Sequence, residues 1–228
     1  MKLGQLQERL LAWATAEERK EELLAARRAH FEAYGEPHEE DRTHEVRLNG
    51  MLDFYLYDFR PSGGAGTTLE RFLEAEGPAL ASEDVAAYRE LSKTVHGLFE
   101  VRKISEGMVR LRDVFTGGDY DVTERRTTAG LEKGDLLEAR LLPFDGTLLF
   151  SGAFLYHPRE VRKEVLAEVK RLKKAAGKGN QPDVPAFLAR LARMAMKLER
   201  YRNVRLESIY DFSPEPRATT PRPPSKTG

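Results

Sequence analysis

The sequence predicts an α+β protein: N-terminal helices, then a small antiparallel β-barrel or curled sheet, then basic C-terminal helices. Three observations lead there. Apolar residues recur at spacings of three and four through most of the first hundred positions. Between 98 and 156 the period drops to two, in five short runs separated mostly by glycine-bearing turns. Beyond Pro158 the helical period returns, in segments crowded with Lys and Arg. The chain accordingly divides into a helical region 1–97, a β region 98–158, a basic helical region 159–212 and a tail 213–228.

Residues 2–33 read as one long helix, because Leu3, Leu6, Leu10, Leu24 and Phe31 keep the helical spacing and no Gly or Pro intervenes after Gly4. A polar connector, 35–43, follows. In the aromatic segment 51–59, Met51, Leu52, Tyr55, Leu56 and Phe59 form a helical stripe, while the alternation of Leu52, Phe54 and Leu56 would suit a strand; the stripe favours helix. Thr67 and Glu70 have capping-box spacing for a short helix that stops at Gly77-Pro78. Ser82-Glu83-Asp84 is expected to cap another, ending near Gly97. The strand-like runs are 98–104, 108–114, 119–124, 135–142 and 147–156. Helices are expected over 159–175 and 184–202, the second capped by Asp183, and a strand over 204–210. The Pro-rich end lacks apolar residues to offset the cost of ordering, so 213–228 reads as a disordered tail.

Composition removes whole classes of function. With no Cys in 228 residues, disulfides, thiolate catalysis, zinc ribbons and iron–sulfur clusters are excluded. No apolar stretch approaches the roughly 20 residues that span a bilayer, and the start is unlike a signal peptide, so a cytoplasmic setting without membrane partners is expected. Lys+Arg and Asp+Glu are both 37, yet they segregate: 1–156 holds 20 basic and 29 acidic residues, 157–228 holds 17 and 8. Such a split marks either an interaction surface or two halves that neutralise each other.

No catalytic constellation is visible. His38, Glu39, Glu40, Asp41 and His44 could ligate a metal but match no ligand motif in a polar connector. Ser62–Thr68 sits just ahead of a helix, where a phosphate could sit, but lacks the Gly-Lys-Ser/Thr ending of a P-loop. Asp53 and Asp58 lie five apart, poorly placed for paired acid–base work on one helix, with Arg47 or Arg60 available as partners. Asp113, Asp119, Asp121, Asp135 and Asp145 fall at strand ends and read as turn residues. His96 and His157 read as a helix cap and a surface histidine. The strongest functional signal is basic: Lys163, Lys170, Arg171, Lys173, Lys174, Arg190, Arg193, Lys197 and Arg200 could face phosphates. Phe115, Tyr120, Phe144, Phe150, Phe154 and Tyr156 could offer stacking surfaces.

Asn49-Gly50-Met51-Leu52-Asp53-Phe54 through Arg60, then Thr67-Thr68-Leu69-Glu70-Arg71-Phe72-Leu73, Gly97–Val101, Leu111-Arg112-Asp113 and Gly134–Arg140, together resemble an uncharacterised bacterial family. That resemblance covers roughly 44–158, and some such proteins carry a SEC-C zinc module. Without cysteine, this chain cannot inherit the zinc function, and the resemblance assigns no catalytic residue.

The expected function is therefore a non-enzymatic cytoplasmic binding or adaptor protein that presents surfaces to a protein or nucleic acid, without cofactor or metal. The N-terminal helix could serve a homodimer. The alternative is a metal-dependent hydrolase built from the front-half acids and histidines. A deep pocket lined by converging carboxylates and imidazoles would argue against a protein that works by its surfaces alone.

Overall fold

The computed structural model describes residues 2–61, 66–123, 130–177, 179–201 and 203–213. Of the phosphate-loop candidate Ser62–Thr68, residues 62–65 lie outside those residues, as does the tail beyond 213.

The expected first helix is two. Helix α1, Leu3–Ala14, buries Leu6, Leu10 and Ala14, and α2, Lys20–Tyr34, buries Ala26, His30 and Phe31. Continued straight, the α1 stripe would run through Glu17, Glu21 and Arg28. A 3-10 turn at Glu17–Arg19 therefore redirects the chain so that an apolar face is buried again. Arg19 fastens the corner, stacking 3.5 Å over the Trp13 ring and donating to Trp13 O. Helix α3, His44–Tyr57, takes the aromatic segment as the stripe required, burying Arg47, Met51 and Tyr55 four residues apart. Helix α4, Thr68–Glu76, is capped as expected, with Glu70 N donating to Thr67 Oγ1 and Thr67 N to Glu70 Oε2. In α5, Ser82–Leu91, Ser82 lies inside the first turn, and Ala81 holds the cap position without a side-chain bond.

Two tyrosine hydroxyls tie these helices together. Tyr55 donates to Ala14 O at 2.9 Å and Tyr88 to Leu6 O at 2.8 Å, each buried and each answering a carbonyl near or within α1. The result is a helical front whose core is Leu6, Leu10, Tyr55, Leu69, Phe72, Tyr88 and Leu91. The apolar face of α1 is thus spent within the chain.

The β region closes into a barrel of β1 (Val95–Ser105), β2 (Met108–Asp113), β3 (Asp119–Thr123), β4 (Leu136–Phe144) and β5 (Thr147–His157), in the order β1-β2-β3-β5-β4. It is antiparallel except where Val122 and Thr123 meet Leu148 and Leu149 in parallel. Phe99, Val101, Val109, Leu111, Val122, Leu137, Ala139 and Leu141 fill its interior. Strand β1 starts three residues earlier than its apolar alternation implies, so His96 is a strand residue paired opposite Arg140 rather than a helix cap.

Helices α6, Arg162–Ala176, and α7, Val184–Arg200, follow, with Asp183 accepting from Ala186 N at the α7 start. Residues Leu206–Ile209 form a single turn, α8, where a strand was expected. A closed barrel leaves no edge for a further strand to join. Leu206, Ile209 and Tyr210, at helical spacing, pack instead against the α6–α7 cluster.

Candidate ligand pocket on the outer wall of the barrel

Strand β4 is buried on both faces, and that decides where the polar chemistry sits. One face points into the barrel through Leu137, Ala139 and Leu141. On the other, Leu136 packs with the α6–α7 cluster and Leu142 with the helical front. Between them, on the same face by the period of two, stand Glu138 and Arg140, only 5% and 3% exposed. A charged pair enclosed this way must be partnered.

The partners come from both flanks. Arg140 binds Asp58 through Nη2, donates to Thr94 Oγ1 through Nη1, and has Asp53 Oδ2 3.9 Å from Nε. Its guanidinium also lies 5.4 Å from the Tyr57 ring centroid. Glu138 Oε1 is 3.1 Å from His96 Nε2. Neither Arg47 nor Arg60 takes the aspartates: Arg47 donates to Thr43 Oγ1 and Ala192 O, and Arg60 pairs with Glu70. The two aspartates converge because Asp58 lies past the last turn of α3, at its C-cap, so the five-residue spacing on one helix does not apply.

Strand β5 is irregular here. Ala139 pairs with Phe154 but Leu141 with Phe150, so Ser151-Gly152-Ala153 bulge opposite Arg140. The bulge brings Gly152 against α3: a Cβ there would meet Asn49 Nδ2 at 3.0 Å, and Asn49 donates to Gly152 O.

These elements enclose a cavity of about 620 Å³, walled by α2, α3, the start of α7 and the barrel. His30, Tyr34, Asp53, His96, Glu138 and Arg140 are among its polar side chains, with Arg47, Asp58, Thr94 and Asp183 beside them, while Phe54, Phe154 and Leu188 are among its apolar ones. The volume falls in the range of about 300–1,000 Å³ typical of small-molecule sites. His30 is stacked on Tyr34, centroids 4.5 Å apart and 7° from parallel. Burial, reinforced by the charges of His96, Arg47 and Arg140, lowers its pKa to about 4, so it stays neutral. Burial likewise pushes the Tyr34 hydroxyl up. It raises Asp53 above the usual carboxylate range against the pull of Arg140 and Ser151. Four buried polar atoms with no hydrogen-bond partner among the described residues, His30 Nδ1, Asp53 Oδ2, Glu138 Oε2 and Arg140 Nε, belong to this lining. Each costs about 1–3 kcal/mol, a burden folds carry chiefly where function requires it.

The other sequence candidates are placed differently. Asp41 is held by Arg200 and accepts from His38 N, and His44 Nδ1 meets His38 O, so that cluster organises its own loop. Among the described residues no three His, Asp or Glu side chains are placed to hold a metal ion. Asp113 accepts from Phe115 N and Thr116 N. Asp119 and Asp121 pair across strands with Arg112 and Arg110, and Asp135 pairs with Arg159. Asp145 sits in the β4–β5 turn with φ 52°. His157 is buried, not a surface histidine, with Nδ1 3.2 Å from the Tyr210 hydroxyl. Of the aromatic candidates, Tyr120, Phe150 and Phe154 pack against the barrel core, Phe115 edges onto Phe187, Phe144 joins the helical front, and Tyr156 is exposed.

The basic candidates divide. Arg171 and Arg190 share Glu168, and Arg200 binds Asp41. Arg159 and Arg162 also reach front-half carboxylates at Asp135 and Glu100, so part of the charge split is neutralised within the fold. Lys163, Lys170, Lys173, Lys174, Arg193 and Lys197 are exposed and form no ion pair among the described residues.

Fold and cavity together define an α+β protein whose small closed barrel carries a ligand-sized, charge-lined pocket on its outer wall. The chain belongs to a family of unknown function, DUF7986, whose model matches residues 5–191. That span includes every side chain lining the pocket. No curated protein and no solved structure matches it. Among the described residues, no helix is long and apolar enough to cross a membrane.

Proposed function

We propose that the chain binds a small organic ligand in this pocket and transfers protons on it. The observation that carries the reading is the gathering of unpartnered buried polar atoms on side chains that line one cavity. With Nε2 of His96 donating to Glu138, its Nδ1 is left as the base, and Glu138 acts as a positioning residue that fixes the tautomer. Burial favours the protonated form of the Asp53 carboxyl, the form that can donate, which suits Asp53 to the acid role. This reading replaces a purely surface-borne role with a pocket-borne one.

A small-molecule screen followed by amide chemical shifts tests it. Binders are expected to perturb Thr94, His96, Arg140 and Phe154, and to be lost in Ala153→Trp, which fills the cavity. Solvent deuterium should enter the bound ligand at its acidic position, and His96→Gln should slow that exchange at least a hundredfold. Perturbations confined to α6 and the C-terminal half of α7, or exchange indifferent to His96, would overturn the reading.

The free cations of α6 and α7 favour a second role, as an adaptor surface for nucleic acid. Binding to generic RNA should then weaken steeply with salt, and Lys170→Gln/Lys174→Gln should lower the salt slope by about 1–2. Salt-independent binding, or none at low salt, would remove this role. A bacterial, cytoplasmic setting fits the resemblance of 44–158 and the lack of cysteine.

A further inference from the structure

One of the two guanidiniums that line the pocket has no carboxylate partner among the described residues, and that points to the occupant. Four carboxylates line the cavity: Asp53, Asp58, Glu138 and Asp183. Asp53 and Asp58 face Arg140, Glu138 holds His96, and Asp183 caps α7 at Ala186 N. The second guanidinium, Arg47, is 5% exposed and forms no ion pair among the described residues. Its Nε donates to Thr43 Oγ1 at 2.9 Å and one Nη2 proton to Ala192 O at 3.2 Å, both neutral acceptors. Its Nη1 donates to none of the described residues. Glu199, Glu138 and Asp41 act on it only through space, and Glu199 is itself taken by Thr43 N and Oγ1. A buried cation in such surroundings is costly until an anion reaches it.

We propose that the ligand is a small amphipathic monocarboxylic acid whose carboxylate pairs with Arg47. A planar guanidinium with an unused nitrogen suits a carboxylate, and a single unpaired cation neutralises one negative charge rather than two. The wall also carries Val46, Phe54, Phe154 and Leu188, available to cover a hydrocarbon or aromatic body. The inference rests on the cleft being the ligand site and names the class of molecule that fits it.

The test uses the full chain, with 3-phenylpropionate and octanoate as probes. Their primary amides, benzylphosphonate and 3-phenylpropylamine serve as neutral, dianionic and cationic counterparts. Calorimetric titration is expected to show each acid binding at least tenfold tighter than its amide, and tighter than the phosphonate or the amine. Arg47→Gln should abolish the preference for acid over amide, Arg47→Lys should keep part of it, and Arg193→Gln, outside the pocket, should leave it intact. Because the acid-to-amide ratio is read in the unaltered protein, an unfolded Arg47 variant does not remove the test. Amides or the amine binding as well as the acids, with loss in Ala153→Trp, would overturn the acid class while leaving the pocket reading in place. Acid binding that survives Ala153→Trp would overturn the pocket reading itself, and failure of every probe to bind overturns the proposed class.

Discussion

Lowering the pH from 7 to about 4 is expected to remove much of the stability of the fold, in a window set by two buried histidines. His30 and His157 are 7% and 4% exposed, and burial lowers both pKa values from 6.5 to about 4, with the charge of Arg47 adding to the effect at each. The unfolded chain takes up protons on these residues as the pH falls below 6.5, while the folded chain refuses them until about 4. Their contribution is therefore complete above the ordinary histidine value and is lost as the pH falls towards the depressed one. Each shift corresponds to about 3 kcal/mol at full extent. Asp53 has the opposite sign, because its raised value favours the folded state as it protonates. The carboxylates held low by arginines, such as Asp41 at about 2 beside Arg200, give up their stabilisation only in more acid solution. Urea unfolding at pH 7, 5.5 and 4.5 should show the falling free energy, and His30→Gln/His157→Gln should flatten the slope while costing some stability at pH 7. An unchanged slope in that variant would assign the acid lability to other groups.

Replacement of Arg140 by Met is the second large effect. The side chain is 4% exposed, binds Asp58 and Thr94, faces Asp53 and lies beside the Tyr57 ring, so it joins β4 to α3 and to the segment before β1. Methionine preserves much of the volume but leaves Asp53 enclosed without a compensating charge. Breaking a buried pair from one side typically costs about 3–5 kcal/mol, and a loss of that size is expected in urea unfolding. Adding Asp53→Asn removes the stranded carboxylate and should recover part of the loss, so the two substitutions should be non-additive. A single variant within about 1 kcal/mol of the unaltered protein would mean that the aspartates do not depend on Arg140 for their compensation.

Much of the architecture was legible because it depends on local periodicity. The β runs between 98 and 156 carry alternation and turn glycines that no helix would tolerate, and the stripe through Met51, Leu52, Tyr55 and Leu56 distinguishes helix from strand. The errors share one cause. The corner at Glu17–Arg19 and the turn at Leu206–Ile209 were decided by which neighbouring surface was available, information absent from a local window. His96 was misplaced by the same limit, since the start of β1 depends on β4 lying alongside it.

The pocket was harder to see. Its polar members come from α2, α3, the loop after it, β1, β4 and the cap of α7, spread from His30 to Asp183. One signal was present in Leu136-Leu137-Glu138-Ala139-Arg140-Leu141-Leu142: a strand apolar enough to be buried on both faces, yet with Glu and Arg two apart on one of them. His30 carried no such mark, since an imidazole within an amphipathic helix looks the same whether it faces water or a cavity.

The order of elements, the helical and β periods, the Thr67–Glu70 and Asp183 caps and the charge asymmetry follow from the sequence alone, because each is set by residues within one or two turns of each other. Barrel closure, the meeting of Asp53 and Asp58 on Arg140, the burial of His30 and His157, and the lack of a carboxylate partner for Arg47 among the described residues belong to the tertiary structure. They depend on which distant side chains are brought close and on how much water is expelled when they meet, and neither quantity is encoded in a local pattern.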